Sequence, residues 1–493
     1  MKKLLILGAM GMHVPLILRA KERGIYTITC DYIPENPGHK IADEAYYDST
    51  TDLNAVLKLA QRLGVDGIMT YNSDPAAATA AYVAEKLGLP GNPYIAVKTM
   101  SEKDLFRKFL RENGLNVPKC FATDNLDNIK ESDFPLIVKP VDSSGSKGVT
   151  VINNISEIHA AISAALQKSR CKRIVIEEYI EPIGSQLHGD GFVEDGKVMF
   201  LALGDHHFDD SINNLVPYST TYPTEHSAEI VEECKHQIQE LVSKVGFKNG
   251  GFNVELRVSK KDNKAYIIDI GARNGGNFTP KVIQYCTGFN FLDRAINVAL
   301  GESTENVPMT EKVSEFVSYL ILHSSWSGVL NSLEISPEIE KRIIEKHIYV
   351  KIGEEVEPFL GANAALGVLI MKYESRQKMN DIVDNFSKLY KVEVKVAKGN
   401  NLNLLPTTPQ NGYWSEVRLY ADKDGIFKEL KFSESLKNQN IRKIDLWVHA
   451  GDKVEASKEA NNAIGTLVLK FETNEELEKV LSNQGKYFQV VVE

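Results

Sequence analysis

The sequence predicts an α/β protein of several domains, and three observations carry that prediction. Over the first hundred or so residues, apolar strands alternate with helical patterns, as in a parallel, doubly wound sheet. Beyond about residue 310, the strands, glycines and closing helix of one β-rich segment recur in a second, which reads as a duplicated module. The chain has 493 residues, more than a single hydrophobic core ordinarily serves.

Lys3 to Leu7 reads as a strand running into Gly8-Ala9-Met10-Gly11, with a helix expected from Val14. Strands follow at Tyr26 to Cys30, ending at Asp31, and at Gly67 to Thr70, with helical patterns over Leu53 to Leu63 and Ala76 to Leu87. The Gly- and Pro-rich LGLPGNP closes this layer, placed at residues 1–97. Ser101 is expected to cap a helix reaching Asn113. Strand Phe134 to Lys139 leads through the loop DSSGSKG to strand Val149 to Ile152, and Ile174 to Tyr179 is a further apolar strand. The turn Glu194-Asp195-Gly196 joins strands Gly191 to Val193 and Lys197 to Ala202. Helix Ala228 to Val245 precedes strands Gly251 to Val258 and Ala265 to Ile270, and the charged turn KKDNK between them signals a hairpin.

In the repeat, SYLILHSSWSGVLNSLEI, IYVKIGEEV and LGVLIMKYES match SEVRLYADKDGIFKELKF, LWVHAGDKV and IGTLVLKFET. Gly353 to Gly367 and Gly451 to Gly465 both span 14 residues, and Gly328 to Gly353 spans 25 against 26 for Gly425 to Gly451. The copies are placed at residues 310–397 and 413–493, with residues 398–412 as the linker.

Apolar residues at 43% and charged residues at 25% are ordinary for a globular protein. The formal charge of −9 argues against a nucleic-acid partner. No apolar run is long enough for a bilayer, so no membrane is expected, and the apolar start MKKLLIL breaks at Gly8 without a cleavage signal. Five scattered cysteines read as reduced thiols, which makes the expected location the cytoplasm.

Gly8-x-x-Gly11 followed by Asp31 falls short of a dinucleotide fingerprint, which needs a third glycine. It reads instead as a strand entering a helix whose N-terminus is open to an anionic substrate. Lys139 is a lone cation inside the apolar strand FPLIVKP, and a buried cation needs an anion. The loop that follows offers glycines, serines and Lys147, the chemistry of a phosphate cradle. Asn253 and Glu255 share a strand face; if the hairpin pairs Glu255 with Asp269, two carboxylates converge where Mg2+ could bridge phosphates, with Arg273 close by. His206 and His207 with Asp205, Asp209 and Asp210 leave three readings open, a metal cluster, a substrate contact and a solvated loop.

Glu102-Lys103, IVKP, SSGSKGV, IEEYI, GFNVELRV and IIDIGARNGG, in that order, resemble the ATP-grasp superfamily over residues 1 to about 395. The similarity is greatest to its amino-acid-ligase and carboxylate–amine-ligase branch. It implies a Rossmann-like pre-ATP-grasp domain, a two-lobed α+β ATP-grasp domain at residues 98–309 with a flexible lobe at about 134–180, and the two β-rich C-terminal modules. It implies that Lys103 and Lys139 contact ATP phosphates and that Ser143, Ser144, Gly145, Ser146, Lys147, Gly148 and Val149 close over them. Glu177, Glu178, Tyr179 and Ile180 would meet adenine, and Gln186 the ribose. Glu255 and Asp269 would hold Mg2+, with Mn2+ as the other candidate, and Arg273 with Lys139 would act on the transferred phosphoryl group.

The implied activity is ADP-forming ligation of a small carboxylate, such as an amino acid, to an amine through an acyl phosphate. The chain departs from the superfamily pattern at three places. Gln186 stands where Glu is usual, which would weaken ribose binding without abolishing it. Gly271 stands where Asn is usual, leaving one metal ligand to water, and His13 replaces a Gln. Two other readings are a phosphoribosylamine–glycine ligase of the purine type and a nucleotide-binding regulator with little catalysis. The second module is compatible with an acceptor-site cover, a homodimer contact or a regulator site.

Overall fold

The parallel sheet is formed by β1 (Lys3–Leu7), β2 (Tyr26–Cys30), β3 (Glu44–Tyr46) and β4 (Gly67–Met69) in the order β3-β2-β1-β4. The computed structural model describes residues 1–209, 213–305, 307, 315–395, 413–456 and 463–493. Helices α1 (Val14–Glu22), α2 (Leu53–Leu63) and α3 (Asp74–Leu87) cover the sheet. Its apolar strands face helix residues such as Val56, Leu59, Ala80 and Val83 on one side, and Leu16 and Ile17 on the other. Because the chain order reverses between β1 and β4, a crevice opens beyond their C-terminal ends, where open α/β sheets present ligand-binding loops.

The expected helix over Ser101–Asn113 is α5 (Lys103–Glu112), and a further helix, α4 (Tyr94–Ser101), runs directly before it. Glu102 between them is extended (φ −99°, ψ 114°), and the Ser101 hydroxyl donates to the carbonyl of Val97 instead of capping α5. The kink turns Lys103 and Arg107 inward, and both are buried.

A small antiparallel sheet follows, with β5 (Cys120–Phe121), β6 (Leu136–Pro140), β7 (Thr150–Ile152) and β8 (Ile174–Glu178) in the order β5-β8-β6-β7, backed by α6 (Ile158–Lys168). The larger sheet begins with β9 (Gln186–Glu194), β10 (Lys197–His207), β11 (Ser219–Tyr222), β12 (Gly250–Val258) and β13 (Ala265–Gly271). Helix α7 (Ala228–Val245) packs Cys234, Ile238, Leu241 and Val242 against Leu187, Val254 and Leu256 on one face of that sheet. Since strand side chains alternate, the facing set Gln186, His188, Asp190, Asn253, Glu255 and Asp269 lies on the other face.

The next segment has β14 (Phe316–Leu322), β15 (Gly328–Ile335), β16 (Ile343–Ile348), β17 (Glu355–Val356), β18 (Gly367–Tyr373) and β19 (Tyr390–Lys395). β14, β18 and β16 extend the larger sheet to eight strands, in the order β13-β12-β9-β10-β11-β14-β18-β16, while β17-β15-β19 form a separate sheet.

By contact density the chain divides into two compact units, residues 1–398 and 399–493. The expected linker at residues 398–412 lies outside the described residues. The second unit has β20 (Tyr413–Leu419), β21 (Gly425–Phe432), β22 (Ile441–Leu446), β23 (Lys453–Val454), β24 (Gly465–Phe471) and β25 (Phe488–Val492). Its sheets run β20-β24-β22 and β23-β21-β25, the same pattern as β14-β18-β16 and β17-β15-β19. Phe316 to Leu322 pair with Tyr373 to Gly367 as Tyr413 to Leu419 pair with Phe471 to Gly465. The bulges recur as well, between Ile343 and Glu345 and between Ile441 and Lys443. The matched glycines have matched causes. A side chain at Gly367 would strike the His347 carbonyl, and one at Gly465 the Asp445 carbonyl.

Candidate functional site

Lys139 is the cation that the apolar strand β6 made conspicuous, and its anion is internal. Its Nζ donates to Glu177 Oε2 on β8 at 2.9 Å. Arg107 on α5 holds the same carboxylate through Nε at 2.8 Å and donates through Nη2 to the Ile268 carbonyl at 2.6 Å. Two buried cations thus share one buried carboxylate. Burial pushes Glu177 up, but Arg107 and Lys139 outweigh it and hold the acid down at about 2. Burial pulls the Lys139 ammonium down, and Glu177 offsets this only in part because Arg107 opposes it.

The Glu177 side chain is 0% exposed and engaged by Arg107 and Lys139. Glu178 lies toward solvent and pairs with Lys261 at 2.9 Å. The Tyr179 ring lies under the Arg257 guanidinium at 4.6 Å, and Arg257 Nη1 donates to the Ile180 carbonyl at 3.1 Å. Gln186 is held at both ends of its amide, accepting from Arg257 Nε at 2.7 Å and donating to Glu255 Oε2 at 2.9 Å.

The hairpin pairs Glu255 directly with Asp269. Burial and the Asp269 charge push Glu255 up, the signature of two carboxylates brought together. Burial pushes Asp269 up too, but Lys103 Nζ at 3.0 Å outweighs it and holds Asp269 below its ordinary value. Lys103 also donates to the Ser143 carbonyl at 3.2 Å, tying α5 to the start of the glycine loop. Within that loop Gly145, Ser146 and Gly148 have positive φ, and the Ser146 hydroxyl donates to the Leu215 carbonyl at 2.6 Å. Facing carboxylates, one held by a lysine, are a donor set that suits a hard divalent cation. The loop start, Lys103 and Asp269 border one cleft with Asp74 and Arg170.

Arg273 is not a free cation. Its Nε donates to Asp74 Oδ1 at 2.6 Å, and its Nη1 to the Asn274 carbonyl at 3.0 Å. Around His206, no group of three or more His, Cys, Asp or Glu among the described residues is placed to hold a metal. Adjacent strand positions send the two histidines to opposite faces. His206 Nδ1 meets Thr220 Oγ1 at 2.7 Å, and His207 Nε2 meets Thr221 Oγ1 at 2.9 Å. Asp205 accepts from Ser185, Thr224 and the Glu225 amide. Asp210 lies outside the described residues.

Four residues escaped the sequence reading: Asp74, Arg107, His188 and Asp190. His188 stacks on His206 at 4.2 Å and meets Asn253 Nδ2 at 2.9 Å. Asp190 accepts from Asn253 at 2.8 Å and from the Gly275 amide, anchoring the loop that carries Arg273. The alternation Gln186-Leu187-His188-Gly189-Asp190 was the available signal.

The buried histidines make stability depend on pH. Burial holds His13 down at about 4 and His188 at about 3, and keeps His206 well below 6.5. These folded values lie below the unfolded one, so the unfolded chain takes up the extra protons as pH falls. Their contribution is complete above the ordinary value of 6.5 and is lost as pH falls toward the folded values. The expected loss is up to about 1.4 kcal/mol per pH unit for each histidine. Urea unfolding at pH 7 and pH 5 should show a lower midpoint at pH 5, and an unchanged midpoint would contradict these assignments.

Residues 132–281 match the model of the ATP-grasp domain. The chain is 24% identical over 309 residues to the C-terminal section of the carbamoyl phosphate synthase large chain of Aquifex aeolicus, covering 60% of this chain and 55% of that protein. It is 25% identical over 418 residues to the formate-dependent phosphoribosylglycinamide formyltransferase of Methanocaldococcus jannaschii, covering 79% of this chain and 97% of that one. The chain therefore spans about half of the first relative and nearly all of the second. The L-amino acid ligase of Bacillus licheniformis shares the fold, with a TM-score of 0.68 at 22% identity over 80% of this chain and 99% of its own. Among the described residues, no helix is long and apolar enough to cross a membrane.

Proposed function

We propose, from the ATP-grasp domain at residues 132–281, that this chain is an ATP-dependent carboxylate–amine ligase. The observation that carries the reading is the half-buried pair Glu255 and Asp269, facing each other beside Lys103 and the glycine loop. Mg2+, or Mn2+ in its place, would be held there by these two carboxylates and would neutralise charge on the β- and γ-phosphates. Lys103, Lys139 and residues 143–149 would hold the phosphates, Tyr179 and the hinge backbone the base, and Gln186 the ribose. The locked amide of Gln186 presents a fixed donor and acceptor to neighbouring groups.

In the reaction, an oxygen of the acid attacks the γ-phosphorus and the bond to the β-phosphate oxygen breaks, releasing ADP. The amine nitrogen then attacks the acyl carbon, phosphate leaves with its oxygen, and the nitrogen gives up a proton. The chain's part is positioning and electrostatics, as in phosphoryl transfer generally. Amino acids or similar small acids are the substrate class we assign, and we regard the two β-rich segments as copies of one module.

Hydroxylamine tests the acyl phosphate directly. With MgATP and an equimolar pool of the proteinogenic amino acids, the expected products are ADP and an amino-acid hydroxamate. ADP formed without any hydroxamate would contradict the intermediate.

A further inference from the structure

We infer, resting on the ligase reading above, that Asp74 of the first α/β layer is a positioning residue for the phosphoryl-transfer step. Asp74 opens α3 directly beyond β4, at the C-terminal edge of the parallel sheet. Its carboxylate takes both Nε and Nη2 of Arg273, a two-point grip matched to the planar guanidinium. The backbone reinforces the tie, since the Asn274 amide donates to the Tyr71 carbonyl at 2.9 Å. The loop after β13 is therefore held by the loop after β4 through side chain and main chain together.

Gly271 is the second, independent observation. A Cβ built there would lie 2.5 Å from Asp74 Oδ1 and 3.2 Å from Arg273 Nε. On β13 the polar-face position that follows Asp269 has no side chain, and the Asp74 carboxylate fills that volume from another layer of the fold. Asp74 also borders the cleft lined by Lys103, Ser143, Ser144 and Asp269, and its charge is felt at Lys103.

The consequence for Arg273 is geometric. With Nε and one Nη2 hydrogen given to Asp74, and one Nη1 hydrogen given to Asn274, each Nη keeps one hydrogen for a ligand. Those two hydrogens have a fixed direction only while Asp74 holds the fork. Without it the guanidinium could still bind an anion, but not from a set position. Misplacement of about 1 Å is enough to cost on the order of a hundredfold in rate.

The test is a double-mutant cycle read by ADP formation from MgATP with the same amino-acid pool. Asp74→Asn should lower kcat by about 10- to 100-fold and leave KM for MgATP within about threefold. Gly271→Ala should also lower kcat, because the new methyl group displaces the carboxylate. In Asp74→Ala/Gly271→Ala that collision is gone, so the double variant should match Asp74→Ala alone within about twofold. A loss confined to KM for MgATP, an unchanged kcat in Asp74→Asn, or multiplying losses in the double variant would each overturn the inference. Absence of ADP from the wild-type chain would overturn the ligase reading and this inference with it. An active wild type with an equally active Asp74→Asn would overturn this inference alone.

Discussion

Lys139→Ala is expected to fold normally and to lose about 10²- to 10³-fold in ADP formation from MgATP, the range set by removing one preorganised electrostatic contact. Its neighbour should behave in the opposite way. Glu177→Gln leaves Arg107 and Lys139 buried without their shared anion, and breaking such a network costs about 3–5 kcal/mol. Lys139→Ala, by contrast, leaves Arg107 and Glu177 as a matched pair, held at 2.8 Å. Urea unfolding should therefore show Glu177→Gln strongly destabilised and Lys139→Ala close to wild type. Equal destabilisation of the two would mean that Lys139 serves the fold and not a phosphate.

Asp269→Asn is expected to lower ADP formation by at least about 10²-fold and to raise the Mg2+ concentration that half-maximal activity requires. The substitution removes one of two facing carboxylates and the partner of Lys103, which is buried at 3.0 Å from it. Lys103 keeps the Ser143 carbonyl as an acceptor, so the chain should still fold. Glu255, relieved of a neighbouring charge, should become a stronger acid than it is in the wild type. A Mg2+ titration of activity checks this, and wild-type turnover with an unshifted Mg2+ midpoint would remove Asp269 from the site.

Much of this site could be read from sequence because it uses charges in places where charges are expensive. Lys139 stood out inside FPLIVKP, and Glu255 and Asp269 stood out on apolar strands joined by a short turn. The period of two then fixed their shared face once the hairpin paired. What escaped was long-range partnership. Arg107 lies on an amphipathic helix where a solvent-facing arginine is ordinary, and its carboxylate comes 70 residues later. Asp74 and Arg273 are 199 residues apart, so nothing local marks them as a pair. The ion pairs of Glu177 were not legible for the same reason, since its two cations are remote in sequence.

The most direct measurement is product analysis after incubating the purified chain with MgATP and the proteinogenic amino acids, with ADP, AMP and phosphate quantified separately. The ligase account predicts ADP and phosphate in equal amounts, dependent on a particular acid and amine and accompanied by their amide. AMP with pyrophosphate, or ADP formed equally well without any amino acid, would contradict it.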